Sequence, residues 1–228
     1  IFNPPSCGYG NDIASVGTDG ATPPGDLPVV PDSDALEGSL MACKETNAIP
    51  GMEITSNEAL DVLVYFEKED DMVGFYEKCI KGKEVQQHGL HMKWYRLQWP
   101  MVELLERAKE WNAFTVLPHP DTMPPKNSVD FFYEHKECLQ KMDAVEGLNA
   151  IMKREANANA VMVAEKWGKP FVGGSDAHVA KFLGAAVTAC HAHDRGSFFE
   201  EIRRGRNIVV GDNLRFLHKM HTGWTAFR

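Results

Sequence analysis

In "PMVELLERAKEWN" the apolar positions fall at Met101, Leu104, Leu105 and Ala108, with Pro100 at the start. That is one face of a 3.6-residue repeat, and it predicts an amphipathic helix. Other stretches are patterned differently. "AIPGMEIT", "ALDVLVYF", "AFTVLPHP", "DAVEGLN" and "FVGGSDAH" are short apolar runs bounded by turn residues, which predicts strands, the third ending at His119 and the fourth at Asn149. "ANANAVMVAEKWGKP" reads as a helix stopped by Gly168, and "SFFEEIRRGRNIVVG" as a helix from Ser197 with a last strand near Ile208 to Val210. Upstream, "DALEGSLMACKET" reads as a helix with Asp34 as its N-cap. Strands and helices alternate. That order predicts an α/β fold of parallel strands under covering helices, either a barrel or an open sheet.

The 228 residues suit a single domain, in which residues 1–27, rich in Gly, Pro, Ser and Asp, read as loop. The chain begins with Ile1 rather than Met, which points to sequence upstream. With a net charge of −8 and no basic block, nucleic acid is not expected as a partner. A small phosphorylated substrate stays compatible, because a bound cation would dominate the local field. The five cysteines are scattered and form no CxxC pair, which fits reduced thiols and a cytoplasmic protein. No apolar run approaches the roughly 18 residues of a membrane helix, so no membrane partner is expected. The pattern does not bear on oligomeric state.

The strand ends carry the chemistry. Glu53 follows "IPGM", His119 follows "TVLP", and Asp176 with His178 follows "VGGS". In barrel enzymes the site gathers at the C-terminal strand ends, and four oxygen and nitrogen donors delivered there suit Zn, Mn or Fe.

In order and spacing, "IPGMEIT", "LDVLVYF", "VLPHP", "VEGLNA" and "GGSDAH" resemble the PHP superfamily, the polymerase and histidinol phosphatase family of metal-dependent phosphoesterases. The likeness runs from about Pro28 to Val210, with "VPDSDALEG" similar to the second motif and "IRRGRNIVV" to the C-terminal end. It implies a distorted seven-stranded β/α barrel related to the TIM barrel. It also implies two or three divalent ions, Zn, Mn or Fe, that drive phosphate-ester hydrolysis. Metal ligation carries over to Glu53, His119, Asp176 and His178. The family's first motif, His-x-His, is absent and would fall at or before Ile1; Ser33 stands where the second motif has a ligand His. Asp61 takes the place of a further His.

Each position also has a plainer reading. Asp61 could pair with a Lys or Arg instead of a metal. His88 with His91, and His191 with His193, read as surface or structural positions. Asn149 reads as a brace for the barrel or for a ligand, and "RRGR" as a solvated helix end. The expected function is a phosphoesterase. The alternative is a PHP-like domain whose site has decayed into a binding or regulatory module. A metal-dependent C–N hydrolase would need a carboxylated Lys or a further His that the sequence does not place.

Overall fold

The computed structural model describes residues 36, 39–41, 43–44, 48–88, 93–123, 127–177 and 182–213. Strands β1 (Gly51–Thr55), β2 (Asp61–Tyr65), β5 (Phe114–Leu117), β6 (Ala144–Asn149) and β7 (Phe171–Gly174) form the central sheet, in that order. Two small antiparallel sheets flank it, the hairpin of β3 (Glu84–His88) with β4 (Lys93–Leu97), and the pair β8 (Ala186–Ala189) with β9 (Ile208–Gly211), which are joined through a helix. Helices α1 (Glu69–Phe75), α2 (Met101–Glu110), α3 (Val129–Glu134), α4 (Lys136–Lys141), α5 (Arg154–Lys166) and α6 (Arg195–Arg203) complete the described elements. The described residues between 36 and 44 are helical too. Asp34 and Ser33 lie outside the described residues.

The α/β class stands, with two departures from expectation. β5, β6 and β7 pair in parallel, but β2 runs antiparallel to both β1 and β5. The reason is local: β1 and β2 are joined by residues 56–60, too few for the crossover that a parallel pair needs. In place of one seven-stranded barrel, the described residues form nine strands in three sheets, none of them closed.

Alternation along the strands splits the core in two. Ile54, Val62, Val64, Leu117 and Val145 face one way and pack with Met72, Phe75, Leu104, Leu105 and Phe132 from the helices. In α2 the predicted face is the buried one, with Met101, Leu104, Leu105 and Ala108 all at most 1% exposed. Burying such a leucine is worth about 2 kcal/mol. On the other face Leu63, Tyr65, Phe114, Val116, Ala144 and Val172 meet Phe198, Phe199 and Ile202 of α6. Phe114 and Phe199 stack there at 4.7 Å. α6 starts two residues earlier than the sequence suggests, because Asp194 caps it and Ser197, at the third helical position, closes a capping box.

The glycine pair ending β7 has a packing cause. A Cβ on Gly173 would lie 2.5 Å from Val209, and Thr188 Oγ1 both receives the Gly173 N–H at 2.8 Å and donates to its carbonyl at 3.1 Å. The β8–β9 pair therefore sits directly on the bare backbone of β7.

Candidate metal centre

Because β1, β5, β6 and β7 run one way and β2 the other, their C-terminal ends share an edge with the N-terminal end of β2. On the face that packs against α6, the inward positions turn polar toward this edge. In β2 the inward series is Asp61, Leu63, Tyr65. In β6 the apolar Ala144 gives way to Glu146, and β1 contributes Glu53 on the face opposite Ile54. His119 lies two residues past β5, and Asp176 two past β7. A pocket at this edge is lined by Glu53, Leu63, Pro118, His119, Glu146, Asn149, Gly174 and Asp176.

The tightest group is Glu53, Asp61 and His119, whose ligand atoms lie within 4.8 Å of one another. His119 Nε2 is 3.3 Å from Glu53 Oε1 and 3.8 Å from Asp61 Oδ2. Asp61 is 3% exposed, and its Oδ1 accepts a 2.6 Å hydrogen bond from Thr55 Oγ1, its cross-strand partner in the β1–β2 register. A carboxylate this deep needs a compensating donor or cation. Thr55 and His119 stand beside it.

The second group lies behind His119. Glu146, 3% exposed, accepts the backbone N–H of His119 at 2.8 Å and the side-chain amide of Asn149 at 3.0 Å through the same oxygen. The Asn149 amide also donates to Asp176 Oδ2 at 3.1 Å. His119 and Asp176 have φ angles of 29° and 48°. A left-handed conformation costs a residue with a side chain roughly 1–2 kcal/mol and persists only where its surroundings fix it.

These groups shift one another's protonation. Burial works against a charged His119, but the hydrogen bond and charge of Glu53, with the charges of Glu146 and Asp176, outweigh it and push the imidazole up to about 9. Burial raises Glu146 to about 7, opposed by the His119 charge. An imidazole set among these carboxylates holds its proton in place of a cation. His119 Nδ1 is buried with no hydrogen-bond partner among the described residues. Clustered carboxylates, an imidazole held against them and a buried ring nitrogen are the donors a divalent ion takes. The residues fit such an ion.

The structure thus brings Glu53, His119 and Asp176 to one pocket, while His178 lies outside the described residues. Asp61, evenly balanced in the sequence, joins Glu53 and His119. Sequence reasoning missed Glu146. Its signal was a charged residue inside "DAVEGLN", a strand otherwise fit for burial. Asn149 donates to both Glu146 and Asp176. His191 and His193 are exposed. Arg203 pairs with Asp143 and Glu200, and Arg206 with Glu201, so those cations are engaged at the helix end.

A family model described as PHP-associated matches residues 154–207, from α5 to the edge of β9. No curated protein matches the sequence. Among solved structures the chain is similar to the lesion-specific endonuclease PfuEndoQ from Pyrococcus furiosus, at 18% identity and a TM-score of 0.54, over 71% of this chain and 40% of that one. PsfC from Pseudomonas syringae shares 15% identity at a TM-score of 0.49, over 78% of this chain and 64% of that one. A two-domain protein containing a predicted PHP-like metal-dependent phosphoesterase, from Bacteroides vulgatus, shares 13% identity at 0.49, over 87% and 55%. The chain spans less than two thirds of each of these three.

The matched segment links residues 154–207 to the PHP-associated family model, and the fold is shared with PfuEndoQ. They also correct one expectation. From net charge, nucleic acid was not expected as a partner, yet this fold is shared with a lesion-specific endonuclease. The physical error was to let the charge of the whole molecule stand for the charge at a site, where a bound cation sets the local field. Among the described residues, no helix is long and apolar enough to cross a membrane.

Proposed function

We propose that this chain is a metal-dependent phosphoesterase of the PHP kind. Glu53, Asp61 and His119 would hold a divalent ion, with Asp176 at the same pocket and His178 two residues beyond it in sequence. The observation that carries this reading is the convergence of those three ligand atoms within 4.8 Å at the shared strand edge. A bound ion supplies a polarised phosphoryl oxygen and a water of lowered pKa. The chain's own residues do the rest. His119 gives up its proton on loading and offers Nε2, Thr55 orients the Asp61 carboxylate, and Asn149 holds Asp176 at the pocket. The substrate class is a phosphate ester, and the phosphodiester of a nucleic acid belongs to that class.

The test is elemental analysis of protein purified without chelator, followed by assay with p-nitrophenyl phosphate and its bis-ester. About one ion per chain or more, with hydrolysis that disappears in His119→Ala, is the expected result. Protein that takes up no ion, even after incubation with Mn or Zn, would sink the reading. A second reading has one observation in its favour: Ser33 occupies the position of a ligand His in the resemblance. Bound ions without hydrolysis of either ester would select that reading, a PHP-like domain serving as a binding module.

A further inference from the structure

Glu146 and Asn149 are three residues apart in one strand, and a regular strand would point them to opposite faces. They reach the same pocket because the β6–β7 register slips between Glu146 and Leu148. The bulge residue is Gly147, where a Cβ would lie 3.0 Å from both Phe171 and Val161. A larger residue there would need the Phe171 or Val161 side chain to give way. Bulges re-aim side chains in this way and recur beside active sites.

The bulge places a two-residue relay between the pocket's two left-handed residues. Its hydrogen bonds run from the His119 backbone N–H to Glu146, from the Asn149 amide to Glu146, and from that same amide to Asp176. The Asn149 amide has its orientation fixed independently. Its oxygen accepts the backbone N–H groups of Ile151 at 2.9 Å and Met152 at 3.2 Å, so its nitrogen must face the two carboxylates. The Asn149 backbone is held in turn by Asn157, whose amide donates to the Asn149 carbonyl at 2.9 Å and whose oxygen receives the Asn149 N–H at 3.1 Å. Each link is buried or half-buried. The two pocket residues, 57 positions apart, share one anchor.

We infer that Glu146 and Asn149 are positioning residues, set by the β6 bulge, that preset His119 and Asp176 for an ion without themselves ligating it. The inference rests on the metal reading above and adds to it a division of labour. Glu53, Asp61 and His119 offer donor atoms, whereas Glu146 spends the lone pairs of one oxygen on the backbone of His119 and on Asn149.

The test separates hydrogen bonding from ligation. Glu146→Gln keeps an oxygen able to accept both bonds but is a poor metal ligand; Glu146→Ala removes both functions. Binding of Mn alone, read by electron paramagnetic resonance, should stay within about threefold of the parent in Glu146→Gln and weaken at least about tenfold in Glu146→Ala, as partners of metal ligands do. A second readout needs no ion: hydrogen exchange of the His119 backbone amide in metal-free protein. Its protection should persist in the Gln variant and vanish in the Ala variant. Asn149→Ala, which leaves the bond from His119 to Glu146 in place, should keep that protection while Mn binding falls, and it serves where Glu146→Ala does not fold. Gln and Ala variants equally poor in Mn binding, or an Ala variant with full protection, would overturn the inference. Parent protein that binds no Mn while the exchange pattern holds would fail the metal reading and leave the relay standing.

Discussion

The two faces of the central sheet are built to different ends. The face packed against α1, α2 and α3 is apolar apart from Thr115, with Val62, Val64, Val145, Leu104 and Phe132 all sealed. The opposite face is apolar only where α6 lies on it, and toward the shared strand edge Asp61, Glu146 and Asn149 replace aliphatic side chains at 1–3% exposure. The same strands thus carry the stability of the fold on one side and an electrostatic liability on the other. The contrast teaches that the pocket is maintained at the expense of packing, with the face under α1, α2 and α3 making up the difference.

The sharpest way to break that comparison is to damage each face separately. Leu104→Ala, on the sealed face, should cost about 3–4 kcal/mol in urea denaturation and leave the number of ions bound per folded chain unchanged. A loss of ion binding in the folded variant would mean that the two faces are not independent. On the other face, pH is the lever. In the metal-free chain His119 titrates near 9, above its ordinary value of 6.5. The stability it contributes is therefore fully present below about pH 6.5 and is lost as pH rises through 9. Ion affinity should move in the opposite sense, rising over that interval as the imidazole proton leaves. Urea midpoints and Mn titrations between pH 6 and 10, with His119→Gln flattening both, check the sign.

Smaller effects sharpen the comparison at the joints. Gly173→Ala forces a Cβ against Val209 and should cost about 1–3 kcal/mol, seen as a lower thermal midpoint. Asp143 accepts the Thr115 N–H at 2.9 Å with one oxygen and Arg203 Nε at 2.8 Å with the other, tying α6 to the sheet. Asp143→Ala should cost about 1–2 kcal/mol in the same urea series, with metal binding intact.

Where the candidate site was legible in the sequence, it was because a polar group interrupts or ends an apolar run, Glu53 inside β1 and His119 and Asp176 just past β5 and β7. The face of α2 could be read directly, and Glu53, His119 and Asp176 stood out as such groups. The antiparallel β1–β2 pair was not read, although the five-residue connection carried the signal. The β3–β4 hairpin escaped too, since "EVQQH" and "KWYRL" mix charge and apolar residues without a clean alternation. Glu146 and Asn149 were hidden by their spacing. Period-two reasoning puts them on opposite faces, and only a bulge, which pairing partners reveal and one strand's sequence does not, brings them together. Barrel closure was an expectation of kinship, and the open edges of the described sheets do not reproduce it.

The β1–β2 hairpin has a kinetic consequence. It forms the outer margin of the central sheet, with Glu53 and Asp61 on its two arms and a turn of five residues between them. On the proposed reading, two of an ion's protein donors belong to one short unit that can lift away together while His119 stays with β5. Residence time at such a site is set by how often that unit opens, so ion escape and amide exchange in residues 51–65 should slow in parallel as the hairpin is made stiffer.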